Sequence, residues 1–186
     1  MRKFIIFSIL FLLTNLSHAD HLKATGTIDV YFSPDGGATN AIISELNNAR
    51  SEIRVQAYSF TSAPIAKALI DAKKRGIKIE VVLDKSQKTE KYSSADFVAH
   101  ADIPVYIDSK HKIAHNKIMI IDRDTLITGS FNFTKSAEES NAENLLILKG
   151  NKPLVDRYYR NFNCTRCIRR SMMGDNLHDN RYMMRI

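Results

Sequence analysis

His115-Asn116-Lys117-Ile118-Met119-Ile120-Ile121-Asp122 is followed, after Arg123-Asp124, by Thr125-Leu126-Ile127-Thr128-Gly129-Ser130-Phe131-Asn132. Residues Ile118 to Asp122 are largely apolar and β-branched, which predicts a buried strand rather than a helix. Thr125 to Gly129 repeats that character, so the pair predicts two adjacent strands. Side chains two apart on a strand point to one face, so His115 and Lys117 are expected to project together, and Ser130 and Asn132 share that spacing. Two neighbouring strand ends then offer an imidazole, an ammonium, a hydroxyl and a carboxamide to one group. A phosphate suits that set: it accepts hydrogen bonds and carries negative charge.

Working outward, strand and helix patterns alternate. Thr27 to Phe32 reads as a strand, and Pro34-Asp35-Gly36-Gly37 as a turn. Ala38 to Arg50 carries a helical stripe at Ala41, Ile42, Leu46 and Ala49. Glu52 to Phe60 is a second strand. Ser62 is placed to cap the next helix, with Pro64 in its first turn and Gly76 at its end. Ile77 to Leu83 is a third strand, and a weaker helix lies around Ala95 to Ala101. Pro104 to Ile107 and Asn144 to Leu148 are further strands, and Lys152 to Asn163 is a closing helix. Strand–helix–strand order early and adjacent strands later predict an α/β domain with a mixed central sheet and helices on both faces. No internal repeat or low-complexity linker divides the chain, so residues 20–163 are read as one domain.

The first 19 residues are read apart from that domain. Arg2 and Lys3 precede the apolar run Phe4 to Leu13, and Ser17-His18-Ala19 has the small residues of a cleavage site. A bilayer-spanning helix needs about 20 apolar residues, so a cleaved secretory signal is expected, with export to the periplasm or beyond and no stable membrane insertion afterwards. Removing Arg2 and Lys3 lowers the formal charge of the 186-residue chain from +7 to +5. A basic balance is compatible with nucleic acid or anionic lipid and decides between neither.

Cys164 and Cys167 are the only two cysteines. They are read as a tight local disulfide or as free thiols. A structural zinc site needs four ligands, and no second pair of cysteines exists to complete one. Residues 164–186 carry arginines and methionines with little periodic apolar content. They are read as a solvated or frayed extension, with a basic arm touching phosphates as the alternative. His100, His111 and His178 match no motif and are read as surface or loop residues. Lys110-His111-Lys112 is either a solvated loop or a contact for substrate backbone.

The pattern H-x-K-x(4)-D-x(6)-G-S-x-N, formed by His115, Lys117, Asp122, Gly129, Ser130 and Asn132, resembles the signature of the phospholipase D superfamily. Gly129-Ser130-Phe131-Asn132-Phe133-Thr134 and Ala142-Glu143-Asn144 resemble its small bacterial endonucleases. Val55 to Phe60 and Ile79 to Asp84 fit strands of that fold, so the resemblance covers roughly Thr27 to Phe162. Larger members carry two copies of the motif and form the active site between them. One copy here implies a homodimer with two motifs facing across a two-fold axis, the commonest symmetry for such pairs.

The resemblance also implies roles. His115 of one protomer attacks phosphorus to form a phosphohistidine, and the partner's His115 protonates the leaving alkoxide and then activates water. A neutral imidazole, with a pKa near 6.5, escapes the repulsion that an anionic nucleophile meets at a phosphodiester. Lys117 and Asn132 bind the non-bridging oxygens, and Ser130 contacts or supports the phosphate. Glu143 is the candidate for fixing the histidine tautomer. Asp122 is expected in a structural salt bridge rather than on phosphate. No cofactor or metal is implied, the two lysines supplying the positive charge.

The substrate expected first is DNA, with RNA open to the same chemistry. Two alternatives stand beside it: phospholipid head-group hydrolysis, and nucleic-acid binding without catalysis.

Overall fold

The computed structural model describes residues 19–88 and 94–171. The signal expectation for residues 1–19 therefore falls, save for Ala19, outside the described residues, as does the chain after Ser171 with His178. Seven strands form one mixed sheet: β1 (Thr27–Phe32), β2 (Glu52–Ala57), β3 (Lys78–Asp84), β4 (Val105–Asp108), β5 (Lys117–Ile121), β6 (Thr125–Gly129) and β7 (Asn144–Lys149). Their order across the sheet is β1-β7-β6-β5-β2-β3-β4. β2, β3 and β4 run parallel, while β1, β7, β6, β5 and β2 pair antiparallel in turn.

Among the described residues five α-helices cover the sheet: α1 (Ala38–Asn48), α2 (Ala63–Lys74), α3 (Ala95–Ala99), α4 (Lys135–Glu139) and α5 (Lys152–Ser171). Strand alternation sends one set of side chains to each face. Ile53, Val55, Met119, Ile121 and Ile127 pack with Ile42 and Leu46 of α1, Ile65 and Leu69 of α2, Val98 of α3 and Ala137 of α4. Val82, Ile118, Ile120 and Leu126 meet Val155 and Phe162 of α5 on the other face. The mixed α/β sheet with helices on both faces is thus the observed architecture.

The elements differ from the sequence expectation at their ends, for physical reasons. β2 stops at Ala57 rather than Phe60, because its ladder partner β5 begins at Lys117, opposite Ala57. Beyond that point Tyr58 N–H still donates to Asn116 O at 2.8 Å, and Phe60 makes an isolated bridge with Phe133. Ser62 occupies the N-cap position of α2, but its side chain makes no capping bond. The short α4 was not anticipated; Thr134 Oγ caps it by accepting from Ala137 N–H at 3.1 Å.

The closing helix runs eight residues past Asn163. A strand of charge holds its tail to the sheet: Arg166 pairs with Glu80 at 2.7 Å, and Glu80 faces the buried Arg54. Residues 164–171 thus belong to α5 rather than to a frayed extension. Cys164 is a free, exposed thiol on this helix.

Candidate active site

Register alone gathers the motif. Ala57 at the end of β2 pairs with Lys117 at the start of β5. Ile118 pairs with Thr128 near the end of β6, Gly129 with Leu145 near the start of β7, and Asn144 with Phe32 at the end of β1. Every turnaround beyond these pairs lies at the same end of the sheet. Tyr58, His115, Lys117, Ser130, Asn132 and Glu143 therefore emerge together from four segments distant in sequence.

Lys117 is the buried centre of the group, only 6 % exposed. By alternation it shares the sheet face of Met119 and Ile121. Its Nζ donates to His115 O at 3.2 Å and lies 5.1 Å from the centroid of the Tyr58 ring. Burial pushes its pKa below the ordinary lysine value, and the nearby negative charge of Glu143 opposes that shift without cancelling it. A cation held at some desolvation cost is one that an incoming anion would relieve.

His115 lies two residues before Lys117, just outside the strand, and is exposed. Its ring sits against Tyr58 with centroids 4.5 Å apart and planes tilted by 55°. Tyr58 thus touches both the imidazole and the lysine. The loop leading to His115 is held by two carboxylates that end parallel strands. Asp84 Oδ2 accepts from Ala114 N–H at 2.7 Å, and Asp84 Oδ1 from Ser86 N–H at 2.9 Å. Asp108 accepts from Lys110 N–H and His111 N–H, and its other oxygen meets His111 Nδ1 at 2.7 Å. Burial raises both carboxyls, but these bonds outweigh it and hold both below the usual aspartate value. His111 is thus a loop residue, as expected, tied back to Asp108.

On the β6 side, Gly129 permits a close approach: a Cβ there would stand 2.3 Å from Asn144 O. That carbonyl accepts from both Ser130 N–H and Phe131 N–H at 3.1 Å. Ser130 Oγ in turn accepts from Asn144 N–H and Nδ2 at 3.0 and 3.2 Å. The hydroxyl is thus engaged in joining β6 to β7, with its own proton left to donate. Asn132 follows, and its Oδ1 is buried with no hydrogen-bond partner among the described residues. A buried amide oxygen left unpaired costs stability, which marks this side chain as placed for something other than the fold. Thr61 N–H and Ser62 N–H both donate to Phe133 O at 3.0 Å, fixing the Asn132 segment to the chain leaving β2.

Glu143 stands beside the group, since its charge acts on Lys117. Its Oε1 accepts from Asn141 Nδ2 at 3.4 Å, and its backbone bonds Ser33 in both directions. Among the described residues, no hydrogen bond joins it to the His115 ring.

Asp122 is where the expectation requires correction. It sits at the opposite end of β5, about 16 Å from Lys117 at the rise of a strand, and cannot serve at the phosphate. Nor, among the described residues, does it form the salt bridge expected of it. Its Oδ1 accepts from Ser51 N–H (2.7 Å), Ser51 Oγ (2.7 Å) and Glu52 N–H (3.0 Å), and its Oδ2 from Arg50 N–H (2.8 Å). Burial raises its pKa, but these four bonds more than offset that and leave it below the usual aspartate value. Asp122 and Arg123 both have positive φ, 53° and 54°, in the hairpin turn to β6, so the carboxylate clamps a backbone that few residues adopt readily.

Tyr58, Asp84 and Asp108 were absent from the sequence reading of the site. A signal existed for the two acids: each ends an apolar run of a parallel strand. Tyr58 carried none, because a tyrosine after a strand is ordinarily packing.

Comparison with known proteins agrees with this geometry. Residues 42–165 match the family model described as "Cardiolipin synthase, PLD-like domain". A protein of Rickettsia felis named "Phospholipase D" is 41 % identical over 135 residues, 73 % of this chain and 67 % of that protein. This chain thus spans about two thirds of that relative's length. Among solved structures, the phospholipase D family member Nuc from Salmonella typhimurium superposes with a TM-score of 0.73 at 36 % identity, covering 76 % of this chain and 94 % of that one. NucT from Helicobacter pylori gives a TM-score of 0.68 at 25 % identity, covering 76 % and 96 %. The match of motif, register and fold over most of the chain makes this protein a Nuc-type member of the phospholipase D superfamily, with that superfamily's phosphodiesterase fold.

Proposed function

We propose that this chain is an endonuclease hydrolysing DNA phosphodiester bonds through a phosphohistidine, without a metal, at a site completed by a second copy. The observation that carries the reading is the convergence at one sheet end of an exposed imidazole, a buried lysine and an amide with an unpaired oxygen. The overlap with Nuc, over 94 % of that chain and 76 % of this one, supports the small single-motif reading on which the choice of a nuclease rests.

In the first step the His115 imidazole attacks phosphorus and a P–N bond forms as the P–O bond to the leaving alkoxide breaks. The partner's His115 gives its proton to that alkoxide. In the second step the same partner imidazole takes a proton from water, whose oxygen attacks phosphorus and displaces His115. Lys117 and Asn132 of both copies stabilise the charge on the non-bridging oxygens. One motif per chain supports the dimer, as does the apolar row Ile28, Val30 and Phe32 on edge strand β1, whose side chains are 55 %, 51 % and 67 % exposed. Such a row on a sheet edge favours a protein partner. Export is proposed from the N-terminal pattern, and sequencing of the mature protein should find Asp20 first.

Phospholipid hydrolysis is the second reading, favoured by the name of the Rickettsia felis relative. Plasmid DNA and labelled phosphatidylcholine, each incubated with the wild type and with His115→Ala in excess EDTA, separate the two. Nicking that persists in EDTA and is lost in His115→Ala is the expected result. Released choline without nicking would overturn the nuclease, and nicking restored only by an added divalent ion would overturn the metal-free chemistry.

A further inference from the structure

Asn116, between the catalytic histidine and lysine, also lines a cavity of about 510 Å³ on the α5 face of the sheet. Its wall continues through Ile118 and then Arg157, Tyr158, Arg160, Asn161 and Cys164 of α5. Positions three and four apart lie on one side of a helix, so both guanidiniums and Asn161 line the groove together. Ile118 faces α5, whereas Lys117 takes the opposite face, so this groove is distinct from the Lys117 site while beginning one residue from His115.

Two other cations of α5 are engaged. Lys152 bonds Asp156, and Arg166 is locked to Glu80. Arg157 meets Asp20, an exposed pairing of the kind worth little. Arg160 is exposed and forms no ion pair among the described residues. Two planar guanidiniums with two amides make a donor set suited to phosphate oxygens.

We propose that this groove binds the backbone phosphates of a nucleic acid strand flanking the bond under attack. The inference rests on the nuclease reading and sharpens it. A diacyl phospholipid with one phosphate, held at the Lys117 site, would have no second anion to offer Arg157 and Arg160. A nucleic acid strand carries another phosphate on each side of the scissile one. A second anion site adjoining the first therefore suits a polyanion.

Cys164 lines the groove and reports on it directly. In a His115→Ala/Cys167→Ser background it is the single thiol, and the DNA stays intact. A short single-stranded oligodeoxynucleotide should slow alkylation of Cys164 by N-ethylmaleimide severalfold, and adding Arg160→Gln should abolish the protection. In the active enzyme, Arg157→Gln/Arg160→Gln should lower the ratio of kcat/KM for DNA to that for bis(p-nitrophenyl) phosphate about tenfold, the scale of lost charged hydrogen bonds. It should also flatten the log–log salt dependence of single-strand binding by about 1.4 for two lost phosphate contacts. Lys73→Gln/Lys74→Gln, which removes equal charge from the far end of α2, serves as the control for long-range electrostatics.

DNA cleavage with unprotected Cys164, or equal losses in both double variants, overturns the groove and leaves the nuclease standing. Absence of any DNA binding or cleavage overturns both. Protection by cardiolipin vesicles but not by the oligonucleotide assigns the groove to lipid and refutes the proposal.

Discussion

Replacing Asp122 should damage the fold and spare the chemistry, although this residue belongs to the motif that defines the site. Asp122→Asn keeps the Oδ1 that serves Ser51 and Glu52 and tolerates the positive φ, but it puts an amide nitrogen or a weaker acceptor where Oδ2 met Arg50 N–H. One charge-assisted bond is lost and three are weakened. The Arg50 and Ser51 amides are open to water, which limits the penalty, so the cost is about 1–2 kcal/mol. Asp122→Ala loses all four bonds and places a Cβ residue without local hydrogen bonding at φ 53°, for a total of about 3–4 kcal/mol. With a urea m-value of about 2 kcal/mol/M, the midpoints should fall by about 0.5–1 M for Asn and 1.5–2 M for Ala. Turnover per folded molecule at 25 °C should stay within about threefold for both, since that is under 1 kcal/mol in the barrier.

The acid limb gives a second readout of the same residue. The folded pKa of Asp122 is depressed, so its stabilisation is present above the unfolded value, about 3.9. It is lost as pH falls from there through the lower folded value. The difference between wild type and Asp122→Asn should therefore shrink below about pH 4. A hundredfold loss of turnover in Asp122→Asn with an unmoved urea midpoint would refute the structural assignment.

Three other consequences can be measured. Burial lowers the Lys117 pKa, so the alkaline limb of kcat/KM should fall below the usual lysine range, near 10.4, and should disappear in Lys117→Arg if that variant retains measurable turnover. A limb that persists unchanged in Lys117→Arg belongs to another group. Tyr58→Phe keeps the ring against His115 and beneath Lys117 and should leave kcat within about threefold, whereas Tyr58→Ala should reduce it by about 10- to 100-fold as the imidazole loses its rest. Equal losses in both would show that the hydroxyl, not the ring, matters. Asp84→Ala removes the acceptor for Ala114 N–H at a buried position and should cost about 2–3 kcal/mol of stability, read as a lowered urea midpoint; an unchanged midpoint would show that the His115 loop is anchored elsewhere.

Much of the architecture is legible in residues 27–163 because period-two and period-3.6 apolar patterns are local. Buried β-branched runs declared β2, β3, β5 and β6, and the stripe at Ile42 and Leu46 declared α1. Ends were less legible. β2 halts where its neighbour begins, and α5 runs past Asn163, where Arg166 finds Glu80 on strand β3, a partner 86 positions away that no window of α5 contains.

The sequence by itself determined the mixed α/β class, the family, and the identity of His115, Lys117, Ser130 and Asn132 as one group, since fixed spacing on strands fixes direction. Only the tertiary structure decided that Tyr58 joins that group, that Asp84 and Asp108 hold the loop, and that Asp122, already expected off the phosphate, clamps the start of β2 through backbone N–H groups rather than through a salt bridge. Those assignments depend on strand register and on which backbone groups lack partners. Both are set when distant segments pair, and neither is written in the neighbours of a residue along the chain.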